Sequence, residues 1–261
     1  MQKDKFLYFD TETTDIQAKD LIQLAFITED PNIQSNIYFK PKIDISFGAM
    51  AVHHITPEML EDARYFENTP LPKENIHPEF KGDDLVEYLK FLADRYIWVA
   101  HNAEFDLEVM SKKGVEIPKY VCTLKAARNA LTEGNRDLES YSLQYLRYYL
   151  GLYKDEDQDH ITAHDALSDV YFERNLFRYL LENTKLSPEQ MMVISKQPQI
   201  IRELRFGKYA GKSLQEIARS DREYLIWLAE NMTDKEDLVW NVNRVLDMDV
   251  TSTSDGNLTW I

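Results

Sequence analysis

The stretch "LYFDTETT", residues 7–14, ends an apolar run on two acids, Asp10 and Glu12, and follows them with hydroxyls. If Phe6–Phe9 form a buried strand, its period of two sends Asp10 and Glu12 to the same face. Two like charges side by side repel, which is a cost unless a cation lies between them. The Asp-x-Glu pattern alone does not decide, because a chain of 261 residues contains it about once by chance. The rest of the chain has to explain the pair.

Working outward, residues 4–10, 20–28 and 33–39 read as three strands with short polar connections, as in an antiparallel meander. The stretch after them is irregular and proline-containing. Within it, Thr56 and Pro57 mark a helix start, and residues 67–81 an extended loop. Leu85, Val86, Leu89 and Leu92 have helical spacing, "YIWVAHN" reads as a short buried strand, and "EFDLEVMSKKG" as a helix stopped by Gly114. Further helices are expected at 123–131, 142–150 and 165–182. Three strands followed by alternating helices and strand indicate a mixed α/β sheet with helices packed on it.

The expected organisation is a main domain over 1–184, a linker with a helix starting at Ser187-Pro188 over 185–200, a small mainly helical domain over 201–248, and a polar tail over 249–261. In the small domain, Tyr224 and Trp227 are expected in the core. The hydrophobic share of 44% and the 12% of aromatic residues suffice for a packed core. The single cysteine, Cys122, excludes a disulfide framework and a thiolate metal site. No signal-peptide pattern or membrane span is legible, so a cytoplasmic protein is the expectation.

The net charge of −15 argues against broad, non-specific binding to nucleic acid. It leaves room for a short contact in which metal ions bring the positive charge. One island departs from the trend: Ile200–Ser220 carries Arg202, Arg205, Lys208, Lys212 and Arg219 against two acids, a net +3.

Asp10 and Glu12 have companions. Asp106 follows a predicted buried strand and sits in the first turn of a helix, and His164 and Asp169 lie at the start of another. Strand ends and helix starts on one edge of an α/β sheet are where such folds gather polar groups. Four bare carboxylates there would repel strongly, and a hard divalent cation accounts for them economically. Taken singly, each acid is an ordinary strand end or helix start, and His101 and Phe105 are ordinary structural residues. His53 is expected as a surface side chain.

In order, Asp10-Thr11-Glu12, His101-Asn102-Ala103-Glu104-Phe105-Asp106 and His164-Asp165-Ala166-Leu167-Ser168-Asp169 resemble the three motifs of the DnaQ-like 3′–5′ exonucleases. The histidine five residues before the last aspartate places the likeness in the DEDDh branch. "AVHHIT", residues 51–56, and "RFGKYAGKSLQEIARSDREYLIWLAEN" resemble exodeoxyribonuclease X-like members with a small C-terminal domain.

The resemblance implies a ribonuclease H-like fold, a mixed five-stranded sheet flanked by helices. It implies two Mg2+ ions, or Mn2+ in their place, on Asp10, Glu12, Asp106 and Asp169, with His164 as general base. Nucleoside 5′-monophosphates would be released from 3′ ends of nucleic acid, single-stranded DNA being favoured over RNA. Thr11, Thr13, Thr14, His54, Ile55, His101, Asn102 and Phe105 would shape the substrate cleft, and Lys208 and Lys212 could guide the strand. An RNA-directed exonuclease and a polymerase-associated proofreader are the alternatives. As for self-association, a homodimer also stays open.

Overall fold

Phe6–Thr13 form β1, the central strand of the sheet, in a computed structural model that describes residues 6–133, 136–155 and 166–247. Alternation along β1 sorts its side chains cleanly. Phe6 and Tyr8 meet Phe177 edge-on at 4.8 and 5.9 Å, whereas Phe9 meets Trp98 on the other face at 4.7 Å. The expected meander is present: β1 pairs antiparallel with β2 (Leu21–Thr28), and β2 with β3 (Gln34–Tyr38). On its other edge β1 runs parallel to β4 (Ile97–Ala100), which pairs with β5 (Tyr120–Cys122). The order β3-β2-β1-β4-β5 is thus a mixed five-stranded sheet. β5 was not read from sequence, because three residues are too few to show a period.

Helices cover both faces. On the Leu7/Phe9 side lie α2 (Leu85–Arg95), capped by Asp84, and α3 (Glu104–Lys112), which stops before Gly114 at φ +78°. On the Phe6/Tyr8 side lie α4 (Thr123–Ala130), α5 (Leu143–Tyr149) and α6 (Ala166–Asn183). Each large apolar side chain buried in these two layers contributes about 1.5–3 kcal/mol. The stretch read as irregular holds one further helix, α1 (Phe47–His53), with Ser46 as N-cap. The helix start expected at Thr56-Pro57 is only a 3-10 turn, Pro57–Leu60, and Thr56 makes no capping bond there.

Downstream, α7 (Pro188–Ser195) carries a full capping box from Ser187 and Gln190. It packs on the sheet, where Cys122 N–H donates to Ser195 Oγ at 2.7 Å, and Met191 joins the α6-side core. Three more helices, α8 (Leu214–Ser220), α9 (Arg222–Asn231) and α10 (Glu236–Asp247), enclose an apolar cluster of their own around Leu214, Leu225, Leu228 and Val242. This C-terminal unit is fastened to the rest by Arg202. Its guanidinium bonds Asp137 Oδ1 at 3.0 Å and the Arg128 carbonyl at 2.6 Å, with both ion-pair partners almost fully buried. Arg205 adds a bond to the Leu138 carbonyl at 2.8 Å. The tail over 249–261 lies outside the described residues. Among those described, no helix is long and apolar enough to cross a membrane.

Candidate active site and metal centre

Asp10 and Glu12 continue the Phe6/Tyr8 face of β1, the face covered by α6. Asp169 stands in the first turn of α6, so strand and helix bring the three acids together. One carboxylate oxygen from each lies within 4.8 Å of the others. Asp106, in the first turn of α3, reaches the same strand. Its Oδ1 accepts from Thr11 N–H at 3.0 Å and from the Thr11 hydroxyl at 2.6 Å. Thr11, between the two acids of β1, therefore fixes the fourth acid. Gln144 of α5 donates to Asp169 Oδ1 at 3.1 Å.

The electrostatics are those of a cation site. Burial raises the Asp10 carboxyl well above its usual range, and the charges of Asp106, Glu173, Glu12 and Asp169 raise it further. Burial pushes Asp106 up to about 7, against the pull of the two Thr11 hydrogen bonds. The donors are all carboxylate oxygens, with no thiolate in the cluster, a set suited to a hard divalent ion. A divalent charge would also relieve the mutual repulsion.

Glu173 was missed in the sequence. It lies one helical turn beyond Asp169, fully buried, with Oε1 accepting from His101 N–H at 2.8 Å. Oε2 is buried without a hydrogen-bond partner. Burial, then the Asp106 charge, raises this acid well above its usual range. The i, i+4 step from Asp169 on a predicted helix was the signal that could have found it.

The other expected residues divide. His101 is a structural tie: Nδ1 meets the Thr123 hydroxyl and Nε2 the Tyr141 carbonyl, both at 2.9 Å. Burial lowers its pKa to about 4, so the ring is neutral, with Nε2–H donating to the carbonyl and Nδ1 accepting. Phe105 is half-buried, and Lys19 Nζ sits 4.5 Å above its ring. Asn102 is exposed, at φ 62° in the turn from β4 to α3. The hydroxyls of Thr13 and Thr14 are turned into the following loop, Thr13 donating to the Asp15 carbonyl at 3.0 Å and Thr14 accepting from Asp20 N–H at 3.3 Å.

His54 is exposed at φ 60°, and Ile55 is buried with Ile22, Ile45 and Leu60. His53 is not the surface side chain expected: it is buried, and Nδ1 accepts from Ile55 N–H at 2.9 Å, because the α1 turn folds its ring inward. Lys208 and Lys212 lie on the C-terminal unit, where Lys208 Nζ is 2.8 Å from Asp221. Trp227, expected in the core, is 52% exposed, since Leu225 and Leu228 take the inward positions of α9. His164 lies outside the described residues.

The sequence profile described as Exonuclease matches residues 7–177, which carry Asp10, Glu12, Asp106 and Asp169. The chain belongs to the exonuclease family. A second profile, the exodeoxyribonuclease X-like C-terminal domain, matches residues 204–232 of this exonuclease. Exodeoxyribonuclease 10 of Escherichia coli K12 is 29% identical over 233 residues, 85% of this chain and 90% of its own. The same figures hold for the protein of strain CFT073. Among solved structures, "Exonuclease X in complex with 5′ overhanging duplex DNA" superposes with a TM-score of 0.52 at 26% identity, covering 73% of this chain and 99% of that one. The protein is thus a 3′–5′ exonuclease, a divalent-metal-dependent phosphodiester hydrolase with the ribonuclease H-like sheet.

Proposed function

We propose that this exonuclease shortens single-stranded DNA from its 3′ end and releases nucleoside 5′-monophosphates. The observation that carries the reading is the convergence of Asp10, Glu12 and Asp169 within 4.8 Å on one face of β1. These three would hold Mg2+, with Asp106 completing the cage from the side of Thr11. Bound Mg2+ supplies charge stabilisation to the phosphodiester oxygens.

The chain's own residues do the remainder. His164, whose type titrates near pH ~6.5, takes the proton of the attacking water. The backbone of Thr11 and Thr13 and the side chains of Asn102 and Phe105 receive the terminal nucleotide, bordered by His54 and Ile55. His101 acts through the turn it holds rather than by contact. Support for DNA over RNA comes from the name of the E. coli relative and the duplex DNA bound to the structural one.

A 5′-labelled single-stranded oligonucleotide, incubated with protein and Mg2+, should yield a ladder shrinking from the 3′ end. Asp10→Ala should abolish it, and activity persisting in that variant would overturn the assignment. A matched RNA strand cleaved faster than the DNA would move the substrate to RNA.

A further inference from the structure

Away from the acid cluster, aromatic rings and lysines come together where the 206–212 loop meets α9. Tyr224 and Trp227, three residues apart on α9, stack with centroids 5.9 Å apart and planes 21° from parallel. Tyr209 meets Tyr224 edge-on at 5.1 Å. Lys208 Nζ lies 4.8 Å from both tyrosine ring centres, and Lys212 Nζ 5.3 Å from that of Tyr209. The loop is shaped to this contact. Gly207 has φ +69°, and a Cβ there would come within 2.7 Å of the Tyr224 hydroxyl.

A helix in a small unit gains by burying its tryptophan, yet α9 buries Leu225 and Leu228 and leaves Trp227 about half in water. The acid inside the patch, Asp221, is spent on the patch itself: it accepts from Tyr209 OH at 2.7 Å and pairs with Lys208. What faces outward is the Trp227 ring, flanked by the part-buried Tyr224 and Tyr209 and by cations, on a chain whose net charge is −15. Rings that stack on any base, with lysines that meet phosphates, make a platform for single-stranded nucleic acid.

We propose that Trp227, Tyr224 and Tyr209, with Lys208 and Lys212, form a second contact for the substrate strand, stacking bases upstream of the 3′ end. This rests on the reading of the acid cluster as a nuclease for single strands. The two places share a support. Arg136 donates to the Gly211 carbonyl at 3.0 Å, and Arg205 to the carbonyls of Leu138 and Glu139. The same stretch of chain leads to Tyr141, which holds His101, and to Gln144, which holds Asp169.

The test is fluorescence anisotropy of a long labelled single-stranded DNA without divalent cation, so that binding is read apart from cleavage. Trp227→Ala should weaken binding about tenfold, and Trp227→Phe, which keeps a stacking ring, should restore most of it. Lys212→Ala should reduce the slope of log affinity against log salt by about 0.7. With Mg2+, long strands should lose their KM advantage over a trinucleotide in Trp227→Ala. Equal affinity of wild type and Trp227→Ala would overturn the proposal and return the patch to a protein-facing role. So would a Phe variant as weak as Ala. Ring-dependent binding by a protein that cleaves no DNA would instead leave this surface standing and overturn the nuclease substrate reading.

Discussion

Thr11 gives both of its donors to one oxygen of Asp106, the backbone N–H at 3.0 Å and the hydroxyl at 2.6 Å. The residue between the two strand acids thereby sets the position of the helix acid, whose charge acts on Asp10 more strongly than those of Glu12 and Asp169. Thr11→Val keeps the shape and the backbone donor but removes the hydroxyl. Hydrogen bonds to a charged group contribute about 1.5–3 kcal/mol, so Asp106 should ionise less readily. The expected outcome is an activity near neutral pH about tenfold lower, with half-maximal rate at higher Mg2+, and recovery in Thr11→Ser. Initial rates across a Mg2+ titration check this.

Glu173 faces His101 with one oxygen and nothing with the other. Burial raises its pKa well above the usual range, which favours the neutral acid, and Glu173→Gln should mimic that form while keeping the acceptor for His101 N–H. That variant should match wild-type stability in acid, where folded and unfolded acid are both protonated. It should exceed wild type increasingly in metal-free buffer as pH rises above the range of an ordinary carboxyl, where unfolding lets the native acid ionise. Glu173→Ala, which strands the N–H, should lose about 1–3 kcal/mol in urea denaturation.

The buried acids predict a pH dependence with a definite sign. Asp106 titrates near 3.8 unfolded and is pushed up to about 7 in the folded chain, and Asp10 is raised in the same direction. Between those values the native state holds protons that the unfolded state has released, so metal-free stability falls as pH rises through the window. A divalent cation binds the ionised acids and should reverse the trend. Thermal melts should show Mg2+ raising Tm by more at pH ~8 than at pH ~5, and Asp10→Asn should shrink the difference.

Arg202 and Asp137 are 2% and 1% exposed and fasten the C-terminal unit to the sheet-bearing part. Removing one partner leaves a buried charge, so Arg202→Ala should cost about 3–5 kcal/mol. An apolar pair, Arg202→Met with Asp137→Leu, should recover part of that loss, because it removes both desolvated charges together. Chemical denaturation of the two variants separates the cases.

Much of this architecture was legible in local patterns. Alternation along residues 6–9 identified β1, and the spacing of Leu85, Leu89 and Leu92 identified α2. Ser187-Pro188 marked the start of α7. The motif acids Asp10, Glu12, Asp106 and Asp169 were named as a set from their order in the chain. The three-residue β5 and the short α1 were not legible, being too brief to carry a period. Glu173 was marked only by its i, i+4 step from Asp169, and its bond to the His101 N–H just after β4 came from packing between distant segments.

By itself the sequence determined which residue types stand at the end of β1 and at the starts of α3 and α6. Periodicity acts between near neighbours and is written in the chain. Only the tertiary structure decided that Thr11 and Asp106, 95 residues apart, share a hydrogen-bonded oxygen. It also decided that His101 ties three segments together, that His53 turns inward and that Trp227 stays out. Those outcomes depend on which surface another element covers, and burial of that kind is settled by packing between distant segments, to which local pattern is blind.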